Sequence, residues 1–189
     1  KGIFRNGKLI KGKKYYINEI LNEEGNFKDG QLIEGITYYK DGPKYYQKGK
    51  KYINKEGFFN DGELIIGKKY YEDERYLKED GIFKNGKLTQ GKKYNWNGLL
   101  EEEGIFENDQ LIKGEKYCSS IYGKNVIRQE GTFKYGKLIE GKKYNKYELL
   151  EEEGTFKDGK LDGKGTIYAE NGRIGKKGNF KDGKLNGDR

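Results

Sequence analysis

The chain has 189 residues, of which only 32% are hydrophobic, and it carries 30 glycines and a formal net charge of +8. Globular domains are usually about 45–50% apolar with glycine counted, so this composition argues against a conventional compact core. A single cysteine and the lack of histidine exclude an internal disulfide framework and a plausible zinc site. No apolar run reaches the length of a transmembrane helix.

A tandem repeat extends over the chain. Each copy opens with glycine followed two positions later by phenylalanine, and the opening glycines lie at positions 2, 25, 57, 81, 104, 131, 154 and 178. A turn such as Lys157-Asp158-Gly159-Lys160 comes next, and then a leucine and a G-K-K-Y segment. Asn-Gly and Asp-Gly between short apolar runs are strong hairpin signals. Two turn signals per copy predict two antiparallel strands, because parallel crossovers need a dozen or more residues.

These repeats predict an all-β fold: an elongated, single-layer antiparallel meander of tandem β-hairpins that forms one array over residues 1–189. Helices are disfavoured, since each glycine in a helix interior costs about 1 kcal/mol. Two irregular segments interrupt the array, one near 36–55 and one near 117–129. The first is either a protruding hairpin or a degenerate extra repeat. Insertions in repeat arrays often mark a binding face, although a tolerated loop is the commoner outcome.

The Gly-x-Phe blocks predict a structural ladder. Strand alternation places the glycine and the phenylalanine of a block on the same face. We expect each glycine to leave space in which a neighbouring ring lies flat. The ladder residues are Gly25, Phe27, Gly81, Phe83, Gly131, Phe133, Gly154, Phe156, Gly178 and Phe180.

Three patterns suggest catalysis, and each has a better structural interpretation. The G-x-x-x-x-G-K segments resemble a phosphate-binding loop, but they continue with leucine instead of Ser or Thr. The acidic runs 101–103 and 151–153 fit cross-strand pairs with lysine. Cys118 has no histidine to activate it. The sequence therefore predicts a protein that is not an enzyme and needs no cofactor.

The recurring Lys-Tyr pairs predict a binding face. Its members are Lys69, Tyr70, Lys93, Tyr94, Lys143, Tyr144 and Trp96. Trp96, at a turn, is either an exposed anchor of that face or cover over a neighbouring repeat. Aromatic and basic groups together suit an anionic membrane surface or stacked bases. Acidic residues are threaded through every copy, however, so a protein partner is favoured, anionic lipid is the alternative and nucleic acid is disfavoured. The array ends offer a route to oligomerisation.

The segment Glu153 to Tyr168, E-G-T-F-K-D-G-K-L-D-G-K-G-T-I-Y, resembles the MORN (membrane occupation and recognition nexus) repeat. Upstream copies such as Gly136 to Tyr144 are one residue shorter and are more similar to divergent bacterial MORN-like repeats. The resemblance implies a non-enzymatic module for protein association or scaffolding, with lipid binding in some members. Bacterial members include surface-associated and antitoxin-like proteins, which favours a bacterial secreted or cell-surface location over a cytoplasmic one.

Overall fold

The computed structural model describes residues 1–17, 19–40, 52–72, 76–119 and 125–186, and these residues form strands and turns without any helix. The chain divides into two units, Lys1–Gly98 and Leu99–Arg189. Within each unit, every strand pairs antiparallel with the next strand in the chain. The predicted all-β antiparallel meander of tandem hairpins is therefore confirmed.

Each unit contributes eight strands. In the first they are β1 (Gly2–Arg5), β2 (Lys8–Tyr15), β3 (Leu21–Lys28), β4 (Gln31–Tyr38), β5 (Ile53–Asn60), β6 (Glu63–Tyr70), β7 (Leu77–Lys84) and β8 (Lys87–Tyr94). In the second they are β9 (Leu100–Glu107), β10 (Gln110–Ser119), β11 (Asn125–Lys134), β12 (Lys137–Tyr144), β13 (Leu150–Lys157), β14 (Lys160–Tyr168), β15 (Ile174–Lys181) and β16 (Lys184–Leu185).

Tight turns join the two strands of each Gly-x-Phe hairpin. Between β7 and β8, Asn85 and Gly86 have φ angles of 50° and 72°, as a type I′ turn requires at both central positions. Tyr135 and Gly136 adopt the same conformation between β11 and β12, with φ angles of 51° and 75°. The turn therefore forms even where the Asn-Gly or Asp-Gly signal is absent, because the adjoining strands pair in the same register.

The core lies next to these tight turns. In six copies the phenylalanine of the block faces, across the hairpin, the leucine that follows the turn, and both side chains are buried. The pairs are Phe27–Leu32, Phe59–Leu64, Phe83–Leu88, Phe106–Leu111, Phe133–Leu138 and Phe156–Leu161. Phe180 is also buried, whereas Phe4 in β1 is exposed. These Phe–Leu pairs supply much of the buried apolar surface in a chain that contains few hydrophobic residues.

Glycines from successive strands lie directly opposite one another and form a row, here called the glycine row. In the first unit it comprises Gly2, Gly12, Gly25, Gly35, Gly57, Gly67, Gly81 and Gly91. In the second it comprises Gly104, Gly114, Gly131, Gly141, Gly154, Gly165 and Gly178. The row thus takes one glycine from each strand except β16.

The backbone of the facing strand, and not an aromatic ring, occupies the space beside most of these glycines. At Gly165 and Gly178 the nearest atoms belong to the side chains of Leu161 and Leu185. A Cβ atom added at Gly131 would lie 2.1 Å from the carbonyl oxygen of Glu140 and 2.8 Å from the Cα atom of Gly141. Gly131 also has a φ angle of 141°, which residues with a side chain rarely adopt. The expected packing of rings against glycine is wrong here, because glycine faces glycine and the two backbones approach each other closely.

Side-chain hydrogen bonds support the connections between successive hairpins in both units. In the first unit, the Tyr39 hydroxyl donates to the Tyr70 carbonyl at 2.8 Å, and the Tyr71 hydroxyl donates to the Tyr94 carbonyl at 2.7 Å. In the second, the Asn145 side chain accepts hydrogen bonds from the backbone of the turn that follows β12. The Tyr-Tyr doublets of the sequence therefore have a structural function.

The two predicted insertions are described only in part. Residues 41–51 and 120–124 lie outside the described residues. The flanks of the first pair directly, since Tyr38 faces Ile53 and the Tyr39 amide donates to the Tyr52 carbonyl. The flanks of the second lengthen β10 and β11, in which Cys118 pairs with Val126. At both places the described strands on either side of the segment are direct neighbours in the sheet.

Candidate functional site

The predicted binding residue Lys69 is engaged within the sheet. Its Nζ atom lies 3.0 Å from Glu79 Oε2, donates a hydrogen bond to the Gly86 carbonyl at 2.6 Å and lies 4.4 Å from the centre of the Phe83 ring. The Lys69 side chain is only 16% exposed. One lysine of β6 thus contacts a glutamate of the next strand, β7, the core ring of β7 and the tight turn that follows it.

The same arrangement recurs in other copies. The lysines Lys14, Lys116 and Lys143 each pair with a glutamate, lie over a phenylalanine ring and donate to a turn carbonyl. Their glutamates are Glu23, Glu102 and Glu152, their rings Phe27, Phe133 and Phe156, and their carbonyls those of Gly30, Gly136 and Gly159. Two of these glutamates belong to the acidic runs 101–103 and 151–153, so the predicted cross-strand pairing is confirmed there. Lys93 faces Glu79 in register and is engaged as well.

One copy departs from this pattern. Thr37 in β4 and Lys55 in β5 stand where other copies have lysine and glutamate, and Lys55 faces Lys69 in register. The Thr37 hydroxyl is buried and has no hydrogen-bond partner in the structure. Burial, together with the positive charge of Lys69, lowers the pKa of Lys55. Like charges opposite one another are destabilising in a sheet, so this copy is a weak point of the first unit.

The tyrosines of the predicted face hold carboxylates in place. The Tyr70 hydroxyl donates to Glu56 Oε1 at 2.8 Å, and Glu56 also pairs with Lys68 at 3.3 Å. Burial raises the pKa of Tyr70, and so does its hydrogen bond to Glu56. Tyr144 is in the same situation beside Glu130, and burial followed by that hydrogen bond raises the pKa of Tyr144. These phenols therefore stay protonated and act as donors to the glutamates.

Trp96 and Tyr94 lie at the end of β8. Trp96 is 72% exposed, in a turn where the Asn97 amide donates to the Asn95 side chain at 2.9 Å. The Tyr94 carbonyl accepts the hydrogen bond from Tyr71. Trp96 is therefore well exposed, unlike Lys69 and Tyr70.

Open depressions lie over the glycine row, and we call them the glycine troughs. In the first unit the trough has a volume of about 320 Å³ and crosses β4 to β7, with Gly35, Gly57 and Gly67 along its floor. In the second unit a trough of about 410 Å³ crosses β10 to β13 over Gly114, Gly131 and Gly141. A further one of about 510 Å³ lies over β13 to β15. The lack of side chains on the glycines creates this relief.

The first-unit trough has two different sides. On one side Phe58 lines the trough, and Ile66 and Ile82 continue from it as its register neighbours in β6 and β7; the three are 50%, 50% and 45% exposed. We call them the apolar row. On the other side of the glycines, Glu56 faces Lys68, and Lys68 faces Asp80. The fold thus sets exposed apolar side chains parallel to a charged row.

Two of the three troughs, one in each unit, are acidic, although the whole chain carries a formal charge of +8. The lining of the first has three carboxylates, Glu34, Glu56 and Asp80, and one lysine, Lys68, a formal charge of −2. The 410 Å³ trough of the second unit has four carboxylates and two lysines, again a formal charge of −2. The lining of the 510 Å³ trough has instead one glutamate and two lysines. The sign of the net charge therefore does not describe the two acidic troughs.

Sequence reasoning missed the apolar row, although a signal was present. The residue between the glycine and the phenylalanine of a block is apolar in some copies, as at Phe58 and Ile82, and polar in others, as at Thr132 and Asn179. The side chain at this position points away from the core, because its neighbours Phe59 and Phe83 are buried while Phe58 and Ile82 are exposed. An apolar residue there is not part of the buried core.

No protein-family model matches this sequence, and no curated protein is significantly similar to it. The resemblance to MORN repeats therefore depends on the repeat motif itself. Within the described ranges, no helix is long and apolar enough to cross a membrane. The same residues contain no cluster of three or more His, Cys, Asp or Glu side chains that could hold a metal ion.

Proposed function

We propose that this chain is a non-enzymatic, MORN-like repeat module that binds a partner protein, and that the first-unit glycine trough is its contact surface. The exposed apolar row of Phe58, Ile66 and Ile82 carries the proposal. Contiguous exposed apolar side chains with a polar rim are typical of protein interaction sites. An immunity-type function, in which the partner is a toxin, is one form of the same proposal.

The apolar row supplies binding energy that the Lys-Tyr pairs do not. Fully burying a side chain of this size contributes roughly 1.5–3 kcal/mol, so completing the burial of three half-exposed ones contributes about 3 kcal/mol. That amount corresponds to about 100-fold in affinity. Lys69 and Tyr70, by contrast, already have partners within the sheet. A partner would have to break those contacts to use them.

The test compares the protein with a variant in which Phe58→Thr, Ile66→Gln and Ile82→Thr replace the apolar row by residues that other copies have at this position. A photo-crosslinking residue at Trp96, present in both proteins, captures neighbours in a lysate of the source cells. We expect a specific protein to crosslink to the parent chain and to be lost from the triple variant. An Ile33→Thr variant is the control, because Ile33 is exposed but belongs neither to the apolar row nor to the trough lining.

A second measurement makes the outcome decisive. Crosslinkers placed at Phe58 and at Ile82 should capture the same protein, and excess unlabelled parent chain should compete for it. Circular dichroism checks that the triple variant keeps its strand content. If the parent chain and the triple variant capture the same set of proteins in equal amounts, the trough is not the contact surface.

Peripheral binding to an anionic membrane is a second candidate, and the hairpin tips of the second unit favour it. Six exposed lysines and two aspartates lie at the three turns from β11 to β16, and Tyr135 is exposed among them. The lysines are Lys134, Lys137, Lys157, Lys160, Lys181 and Lys184. Flotation with vesicles of 30% phosphatidylserine in phosphatidylcholine tests this candidate. Binding that persists in pure phosphatidylcholine, or none in either vesicle, contradicts it.

A further inference from the structure

We infer that the first-unit glycine trough binds a polyproline II segment with one apolar and one basic side chain per turn. This inference rests on the proposed function and specifies the chemistry of its partner. It is drawn from the spacing of the strands, the width of the trough and the charges on its two sides.

The spacing of the apolar row matches a polyproline II helix. Neighbouring strands lie about 4.8 Å apart, so Phe58 and Ile82, which are two strands apart, are separated by about 9.6 Å along the row. Three residues of polyproline II advance about 9.3 Å, which is one full turn. Side chains on one face of a β-strand repeat at about 6.7 Å and fall out of phase with the row. A polyproline II ligand therefore presents equivalent residues to Phe58 and to Ile82.

The width of the trough favours a single extended chain. The trough crosses four strands, a length of about 14 Å. The residues that flank its glycines, such as Glu56 and Phe58, are two positions apart in a strand and therefore about 6.7 Å apart. An α-helix with its side chains is about 10–12 Å in diameter and is wider than this gap. An extended backbone is narrower and can lie closer to the glycines.

The two sides of the trough determine which side chains the ligand carries. A polyproline II helix has three residues per turn, so every third residue lies on the same side. One set faces the apolar row, a second faces the row of Glu56, Lys68 and Asp80, and the third faces solvent. Two of those three charged groups are carboxylates, and the lining as a whole is acidic. The second set is therefore basic. The ligand is a three-residue repeat that contains one apolar residue, one basic residue and one residue of any type.

The carboxylate side of the trough is preorganised for this ligand. Glu56 is held by the Tyr70 hydroxyl at 2.8 Å and by Lys68 at 3.3 Å. Fixed acceptors lower the ordering cost of binding a basic side chain. In the second unit the equivalent of the apolar row contains Thr132, Glu140 and Thr155. Its trough lacks apolar partners for the ligand and serves as an internal control.

The test uses a fluorescent twelve-residue probe of four Leu-Pro-Arg triplets and measures anisotropy at physiological salt. We expect saturable binding that is weakened at least tenfold by each of three changes to the probe: scrambling its order, replacing Pro by Ala, and replacing Arg by Glu. The Phe58→Thr, Ile66→Gln and Ile82→Thr variant should lose binding by tenfold or more. Glu140→Gln in the second unit should leave the affinity unchanged.

Amide chemical shifts of the parent protein give a readout that does not depend on any variant. The probe should shift Gly57, Gly67 and Ile82 and leave Gly131 and Gly141 in place. Equal binding of the scrambled probe, or shifts centred on the second unit, would overturn the inference. If Phe58 crosslinks to a cellular protein while no triplet probe binds, the polyproline II inference fails and the proposed function stands. If neither occurs, both are wrong.

Discussion

Replacing a glycine of the row should damage the fold far more than replacing a glycine of a tight turn. Gly131 and Gly136 belong to the same hairpin, β11–β12, and both have positive φ angles, 141° and 75°. A Cβ atom at Gly131 meets the Glu140 carbonyl oxygen at 2.1 Å, whereas a Cβ atom at Gly136 has nothing within 4 Å. The same substitution, Gly→Ala, at the two positions therefore separates close approach from conformational strain.

The expected magnitudes follow from these contacts. An alanine held in a sparsely populated backbone region costs about 1–3 kcal/mol, and the reduced entropy of the unfolded chain returns about 0.4–1 kcal/mol. Gly136→Ala should therefore lower the free energy of unfolding by about 1 kcal/mol. At Gly131 the facing strand must also move, and each interstrand hydrogen bond that is lost costs about 1 kcal/mol. We expect Gly131→Ala to cost about 3–5 kcal/mol.

Hydrogen exchange is the appropriate assay, because repeats contact mainly their neighbours and can open locally. A difference of about 3 kcal/mol between the variants corresponds to roughly 100-fold faster exchange in β11 and β12. Thermal unfolding followed by circular dichroism should rank the variants in the same order. Equal protection in Gly131→Ala and Gly136→Ala would show that the facing strand yields easily and that close approach does not explain the glycine row.

Three further substitutions test the packing around this row. Lys55→Glu should raise the free energy of unfolding by about 0.5–1 kcal/mol, because it replaces a pair of like charges, Lys55 and Lys69, by an ion pair. Urea unfolding measures this change, with Lys84→Glu at an exposed hairpin tip as the control. An unchanged unfolding midpoint in Lys55→Glu would contradict the prediction. Phe133→Ala should lower the free energy of unfolding by about 3–5 kcal/mol in the same assay, as for other buried rings. An unfolding midpoint equal to that of the parent protein would mean that the Phe133 ring is not part of the core. The hydrogen bond from Lys142 lowers the pKa of Glu130 from its ordinary 4.5. The ionised Glu130 therefore stabilises the fold at pH 7, and this stabilisation is lost as the pH falls through the lowered pKa. Glu130→Gln should therefore melt below the parent protein at pH 7 and level with it near pH 2, and a gap that persists in acid would rule out this linkage.

The hairpins and the buried phenylalanines could be predicted from the sequence because they depend on short-range patterns. The Asn85-Gly86 dipeptide sets the turn, and a two-residue turn sets the pairing of Phe83 with Leu88. The residues involved lie within a few positions of one another. Strand alternation then decides which face is buried, so Phe83 is in the core and Ile82 is not.

The glycine row and the lysine contacts could not be predicted in this way, because they depend on the register between hairpins. Lys69 reaches the Gly86 carbonyl, 17 positions ahead, only when β6 and β7 pair with Gly67 opposite Gly81. The sequence shows that lysines and tyrosines recur, but recurrence does not distinguish an exposed lysine from one that lies over a ring. The prediction of a Lys-Tyr binding face came from this ambiguity.

Some positions of each copy are fixed by the fold, whereas the positions beside the glycine row can vary. The strands need glycine on the row and Phe and Leu in the core, but the residues beside each glycine point into the trough and are constrained by neither. That position is phenylalanine at Phe58, isoleucine at Ile82, threonine at Thr132 and asparagine at Asn179, all on strands with the same register. The backbone therefore tolerates apolar or polar side chains there without a change in architecture. Most described lysines of the G-K-K-Y segments form ion pairs or lie over aromatic rings. The residues beside the glycines are therefore the positions at which the copies differ most in the side chains available to a partner. This is why we locate binding in the trough, and why each copy is expected to contribute a different contact.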